Sequence, residues 1–374
     1  MQRYRFRAIF SINPIIFTNM KKRKDYHVIG VMSGTSLDGI DLAQIRFHIS
    51  EKEGWSFEIV AAETFSYSLD WKEQLREAIH LSEAGLTDFN HRYTDLLGGV
   101  IRKFLDTHAI QGVDAVCSHG HTILHQPAKG VTLQIGNLPQ LATNVAHNIV
   151  CDFRVQDVAL GGQGAPLVPV GDTLLFATYD YCINLGGFAN VSKDQGGVRI
   201  AYDICPVNIV LNRYAEKLGE PYDDGGALAA SGEIHSPLLE QLNALEFYHM
   251  SPPKSLGLEW VQENIFPLLA SHNISEIDML CTFTEHIAIQ LSRQVHSKAL
   301  VLVTGGGAYN DFLISRLKMH SDIAVVIPAP QIIEYKEALI FGLLGVLKLR
   351  NETNCLASVT GAEQDHSSGK IFMV

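Results

Sequence analysis

"HVIGVMSGTSLDGIDLAQIRFHI", residues 27 to 49, sets an apolar run against a turn of glycine, serine and threonine and then returns to an apolar pattern. It reads as two strands joined by a Gly/Ser/Thr turn. Working outward, "WSFEIVAAETFSY" (55 to 67) reads as a third strand and 83 to 109 as a helix. "AVCSHG" (115 to 120) is a short buried strand, "NLPQLATNVAH" (137 to 147) a helix and "NIVCDF" (148 to 153) another strand. The second half repeats this order. "YCINLGGFANVSKD" (181 to 194) is again strand, glycine turn, strand, and "GVRIAYDI" (197 to 204) a third strand. "PVNIVLNRYAEKLG" (206 to 219) predicts a helix with Pro206 in its first turn and Gly219 past its end. A long helix over 275 to 297, a buried strand in "ALVLVTGGG" (299 to 307), a helix over 310 to 320 capped by Asn310 or Asp311, and a last strand, "IAVVIP" (323 to 328), complete it. The repeat of β-β-β-α-β-α-β predicts two tandem α/β domains facing a cleft. The expected boundaries are a basic tail at 1–24, a first domain at 25–160, a second at 161–351, and a segment at 352–374 returning to the first.

Composition narrows the function. With 374 residues, 47% of them hydrophobic, the chain can bury two cores of ordinary size. Its formal net charge of −11, with basic residues scattered beyond the N-terminus, argues against a nucleic-acid or anionic-membrane surface. The six cysteines include no C-x-x-C pair, which fits a reducing cytoplasm. The basic start carries Arg3, Arg5, Arg7 and the run Lys21-Lys22-Arg23-Lys24 around "AIFSINPIIF". Ser11, Asn13 and Pro14 break that stretch and no small-residue cleavage site follows, so it reads as a dispensable tail with Met20 as an alternative start. "ALIFGLLGVL" (338 to 347) is too short to span a bilayer and reads as a buried helix.

Three glycine turns follow predicted strands: "SGTSLDG" (33 to 39), "NLGGFAN" (184 to 190) and "TGGGAYN" (304 to 310). Each alone is most simply a turn. At matching places in a duplicated pattern they suggest anion binding, because glycine lets backbone N–H groups approach a phosphate. The chain has neither G-x-x-x-x-G-K-[ST] nor a strand-linked G-x-G-x-x-G, which argues against a P-loop enzyme and a dinucleotide oxidoreductase.

"GVMSGTSLDGIDLA", "SHGHTILHQP", "LQIGNLPQLA", "VCDFRVQDVALGGQGAPLVP", "INLGGFANVS" and "LVTGGGAYN" occur in this order. Over 25 to 361 the chain thereby resembles the 1,6-anhydro-N-acetylmuramic acid kinases. That resemblance implies the actin, Hsp70 and sugar-kinase superfold, two tandem RNase-H-like domains with ATP in the cleft. It also implies the reaction: ATP and water convert 1,6-anhydro-N-acetylmuramic acid to N-acetylmuramic acid 6-phosphate during peptidoglycan recycling. A small amino sugar and ATP would be the partners, Mg²⁺ the expected ion with its ligands undetermined, and a homodimer is left open.

Carried over by position, the resemblance places ATP phosphates on Gly34, Thr35, Ser36, Leu37, Asp38, Gly39, Ile40 and Asp41, and the adenosine end against Gly305, Gly306 and Gly307. Asp38 or Asp41 could hold water on Mg²⁺; Asp38-Gly39 is otherwise a hairpin turn. Asp203, in "DICPVN", matches the family's general base; a cap on the helix after it is the competing structural role. Glu337 matches a glutamate that orients the same water, and is otherwise an ordinary acid near a helix start. Arg154 and His119 match the sugar side, where arginine can pair with the lactyl carboxylate; a structural ion pair is the competing role of Arg154. One segment and three positions depart from the pattern. "PPKSLGLEWV" (252 to 261) keeps Lys254, Ser255 and Gly257 but lacks the commoner K-S-T-G-R-E form. Cys205 and Val207 stand where glycine is usual around the base, and His121 replaces a glutamine. His119, His121 and His125 form H-x-H-x3-H, but no fourth ligand is evident and zinc is not expected. The rival readings are a kinase of an ordinary hexose and a nucleotide-driven conformational switch.

Overall fold

The computed structural model describes residues 23–34 and 37–374; the tail to Lys22, with Met20, and the pair Thr35 and Ser36 lie outside the described residues. Among the described residues it is an α/β protein with a seven-stranded and a five-stranded sheet. The chain divides into two compact units. One runs to Ala159 and adds Phe341–Cys355 and Asp365–Val374; the other comprises Leu160–Ile340 and Leu356–Gln364.

In the first unit, β1 (Asp25–Ser33), β2 (Gly39–Ser50) and β3 (Gly54–Ser66) form an antiparallel meander. Next come β4 (Ala115–Gln126), β5 (Val131–Ile135) and β6 (Ile149–Cys151); from the chain's end, β12 (Lys370–Phe372) completes the order β12-β6-β4-β1-β2-β3. β4 lies parallel to β1 and to β6. The sequence reading ends β4 at Gly120, whereas the strand continues to Gln126 and turns back antiparallel into β5. The helix Glu83–Thr107 is amphipathic, capped by Ser82, and packs Phe89, Tyr93, Leu97, Ile101 and Phe104 into the core against Ile29, Val31 and Val116.

The second unit holds β7 (Tyr181–Leu185), β8 (Phe188–Gln195) and β9 (Val198–Pro206) as a meander, then β10 (Leu300–Thr304) and β11 (Ala324–Val326), in the order β11-β10-β7-β8-β9. Counted from the parallel edge, this is the order β6-β4-β1-β2-β3 of the first unit. The long helix Glu276–Ser292, capped by Ser275, is buried through Phe283, Ile287 and Leu291. Asn310, rather than Asp311, caps the helix Asp311–His320 by accepting from Leu313 N–H at 2.9 Å.

Two further boundaries differ from the sequence reading. Pro206 ends β9, paired with Phe188, and the helix starts only at Asn208 because Val207 has φ −130°, ψ −99°. The last long helix, Pro330–Leu349, does not belong wholly to the second unit: from Phe341 onward it packs in the first. Gly342 and Gly345 explain that half of the helix, because a Cβ would fall within 2.7 Å of Ile45 at the first and clash with the Cys117 sulfur at the second. All six cysteines are free and buried, and no helix among the described residues is long and apolar enough to cross a membrane.

Candidate active site

Residues 34 to 38 connect β1 to β2. Ser33 pairs with Ile40, Leu37 N–H donates to Gly34 O at 3.3 Å, and Leu37 takes φ +62°, the left-handed region, with its side chain buried. Asp38 is exposed. Gly39 opens β2, where a Cβ would lie 2.6 Å from Phe65 O, so this position requires glycine for close strand packing. Asp41 accepts from the Thr64 hydroxyl at 2.6 Å.

His119 and Arg154, also in the first unit, form one arrangement. The His119 Nδ1–H donates to Gly120 O at 2.9 Å, which leaves Nε2 to accept from Arg154 Nε at 2.8 Å. Burial, then the neighbouring Arg154 charge, pushes His119 well below the usual imidazole range, so it is neutral. Its ring packs 4.6 Å from Phe341. With 2% exposure and both nitrogens engaged, His119 holds the arginine rather than presenting a surface of its own. The other histidines of the motif take separate partners: His121 meets Ser33 and His125 meets Thr132.

In the second unit Asp203 lies near the end of β9, opposite Asn190. It does not cap the following helix, whose N-terminus has no side-chain cap. Instead its N–H donates to Lys254 O at 3.1 Å, and its Oδ2 accepts from Leu256 N–H at 2.8 Å. Burial raises its carboxyl above the ordinary aspartate value, opposed in part by the Leu256 N–H. The segment 252–257 therefore aims this carboxylate through its backbone. The sequence reading singled out that segment only as a departure from the family pattern, because a backbone donor leaves no residue-type signal. Cys205 and Val207, both fully buried, are absent from the left-handed region, so the turn's path needs glycine at neither.

Gly305, Gly306 and Gly307 follow β10. A Cβ on Gly305 (φ +81°) would come within 2.6 Å of Asn184 Oδ1, and one on Gly307 within 2.7 Å of Leu185 Cβ, so both glycines let the turn lie against the end of β7. Gly306 meets nothing closer than 3.8 Å and is the open one. Glu337 is exposed on the helix Pro330–Leu349. Its neighbour Lys336 is buried and pairs with Asp172 at 2.8 Å; burial works against the lysine's charge, but Asp172 and Cys182 hold it above the usual range.

The chain matches the family model for anhydro-N-acetylmuramic acid kinase over residues 26–374. It is 31% identical to an anhydro-N-acetylmuramic acid kinase of Burkholderia ambifaria, covering 92% of this chain and 95% of that protein. It is 35% identical to one of Pseudomonas putida, over 77% and 82%. A solved activator of 2-hydroxyisocaproyl-CoA dehydratase from Clostridium difficile with bound ADPNP aligns over 87% of this chain and 96% of that one, at 13% identity and a TM-score of 0.42, a likeness that carries no argument. On the family match and these curated relatives, the chain belongs to the anhydro-N-acetylmuramic acid kinase family.

Proposed function

We propose that this enzyme opens 1,6-anhydro-N-acetylmuramic acid with water while transferring the γ-phosphate of ATP to O6, giving N-acetylmuramic acid 6-phosphate for peptidoglycan recycling. The observation that carries the chemistry is Asp203: one oxygen is oriented by Leu256 N–H, and burial raises its proton affinity, which suits a general base. Asp203 would take a proton from the water attacking C1, and Glu337 would help orient that water. Arg154, aligned by neutral His119, would pair with the lactyl carboxylate. The loop 34–41 would hold the phosphates through backbone N–H groups, and Gly306 would leave room for the adenosine end. The oxygen donors Asp38 and Asp41 suit Mg²⁺ held through water, which would neutralise phosphate charge. The common strand order of the two sheets supports a pair of tandem actin-like, RNase-H-like domains, and six free buried cysteines support a cytoplasmic setting.

Oxygen labelling tests the coupled reaction. In ¹⁸O water, analysed before ring-opening exchange, the product should carry one solvent oxygen at C1 and none bridging C6 to phosphorus. ADP formation with free hexoses while the anhydro sugar stays inert would replace this reading with an ordinary hexose kinase. ADP release that no sugar stimulates would leave a nucleotide-driven switch.

A further inference from the structure

The base of the β1–β2 loop is held by a closed ring of side-chain hydrogen bonds. Ser33, the last residue of β1, is 3% exposed, and its hydroxyl lies 2.6 Å from Tyr67 OH, 2.8 Å from His121 Nδ1 and 3.1 Å from Tyr93 OH, which donates to it. The two tyrosine hydroxyls are themselves 2.6 Å apart. Four contacts therefore need four protons. Three hydroxyls supply three, so the fourth must come from His121 Nδ1–H. One arrangement satisfies every contact: Tyr93 donates to Ser33, Ser33 to Tyr67, Tyr67 to Tyr93, and His121 Nδ1–H to Ser33. Burial lowers His121 to about 4, so it is neutral near pH 7 and its Nε2 carries a lone pair.

The backbone is shaped for this ring. β1 and β4 pair Val31 with Ser118 but Ser33 with His121, so β4 contains one extra residue. That bulge is at Gly120, with φ +76°, where a Cβ would come within 2.5 Å of Ile135 O. Without it Gly120, not His121, would face Ser33. The ring's members come from β1, the residue just after β3, the helix Glu83–Thr107 and β4, and they consume the donor and both acceptor sites of the Ser33 hydroxyl.

We propose that His121 is a positioning residue: through Ser33, and with Tyr67 and Tyr93, it presets the start of the 34–41 loop for the polyphosphate of ATP. This rests on the reading of that loop as the phosphate site. Ser33 touches no phosphate through its hydroxyl; it fixes where the chain departs into the loop, so less order must be imposed when ATP binds. A glutamine at 121 can replace the imidazole because its amide N–H₂ supplies the same donor, whereas leucine cannot.

The test compares His121→Leu, His121→Gln and Tyr93→Phe by steady-state kinetics, with Gly34→Val as a substitution inside the loop. His121→Leu and Tyr93→Phe should raise the KM for ATP by about tenfold, the worth of one lost hydrogen bond, and leave the KM for the anhydro sugar within about twofold. His121→Gln should restore the ATP KM to near the wild-type value. Folded Leu and Phe variants with an unchanged ATP KM, alongside a damaged Gly34→Val, would overturn the proposal. If Gly34→Val also left ATP binding untouched, the phosphate-loop reading itself would fall. Should the Leu and Phe variants not fold, ¹⁵N NMR of histidine-labelled wild type decides, with the His121 signal assigned by its loss in His121→Gln. The ring requires a protonated Nδ1 and a bare Nε2, and the opposite tautomer refutes it.

Discussion

At the residue scale the question is whether Asp203 is a general base or a helix cap. Two roles fit its position in the sequence, and the helix starting two residues later than expected removes the cap. Asp203→Asn should lower turnover by about 10²- to 10⁴-fold, the usual worth of a general base, with ATP affinity unchanged. Turnover within a few-fold of wild type would take Asp203 out of the mechanism. Burial raises the folded-state carboxyl above its unfolded value, so this group favours folding in acid and does so less as pH rises through the folded-state value. Asn, which carries no charge and can still accept from Leu256 N–H, should therefore melt above wild type at neutral pH, with the gap closing in acid. The same shift places the acid limb of the kcat profile above the ordinary aspartate range, and that limb should vanish in the residual activity of the Asn variant. Melting curves and rate profiles across pH check both.

At the element scale the glycine turn after β10 separates closely packed positions from an open one. Gly305 and Gly307 are dictated by the approach of the turn to Asn184 and Leu185, while Gly306 is not. Gly305→Ala should cost about 1–3 kcal/mol through overpacking, beyond the strain of its φ. Gly306→Ala should stay within about 0.5 kcal/mol of wild type in stability yet raise the KM for ATP, because a methyl would enter the open side. Denaturant unfolding together with ATP kinetics distinguishes them; equal destabilisation by both would show that Gly306 is also a packing residue. The strands that pair locally were legible because apolar runs and glycine turns are local signals. β5 was not: it is five residues long and defined by its partner, the extension of β4. The start of the helix at Asn208 was also hidden, since Pro206 suits a first helical turn as well as a strand end.

At the scale of the whole molecule, Arg23 is the first described residue and is held by a bidentate pair with Asp114, at 2.7 and 3.0 Å. A chain begun at Met20 keeps that anchor and should match the full chain in activity and melting temperature; a clear drop in either would show that residues 1 to 19 serve the fold. The chain's end also belongs to the first unit: β12 pairs with β6, Cys355 bridges to His366, and the Cys355 thiol donates to buried Asp157 at 3.1 Å. The expected segment at 352–374 is itself shared, with Leu356–Gln364 in the second unit, and the division of the helix Pro330–Leu349 between units was not expected. That division depends on which distant side chains meet Gly342 and Gly345.

By itself the sequence determined the α/β class, the repeated order of elements, the family and the identity of the candidate residues, because periodicity, turn chemistry and motif spacing are properties of short stretches. Only the tertiary structure decided how those residues are held. The N–H that aims Asp203 belongs to Leu256, the imidazole that aligns Arg154 is His119, and the ring beneath the loop joins Ser33 to Tyr67, Tyr93 and His121. Each of these contacts spans at least 26 residues of chain, and each depends on burial and on the partner's proton rather than on any local pattern. A one-residue bulge at Gly120 sets which side chain faces Ser33, a register that arises only when β4 pairs with β1.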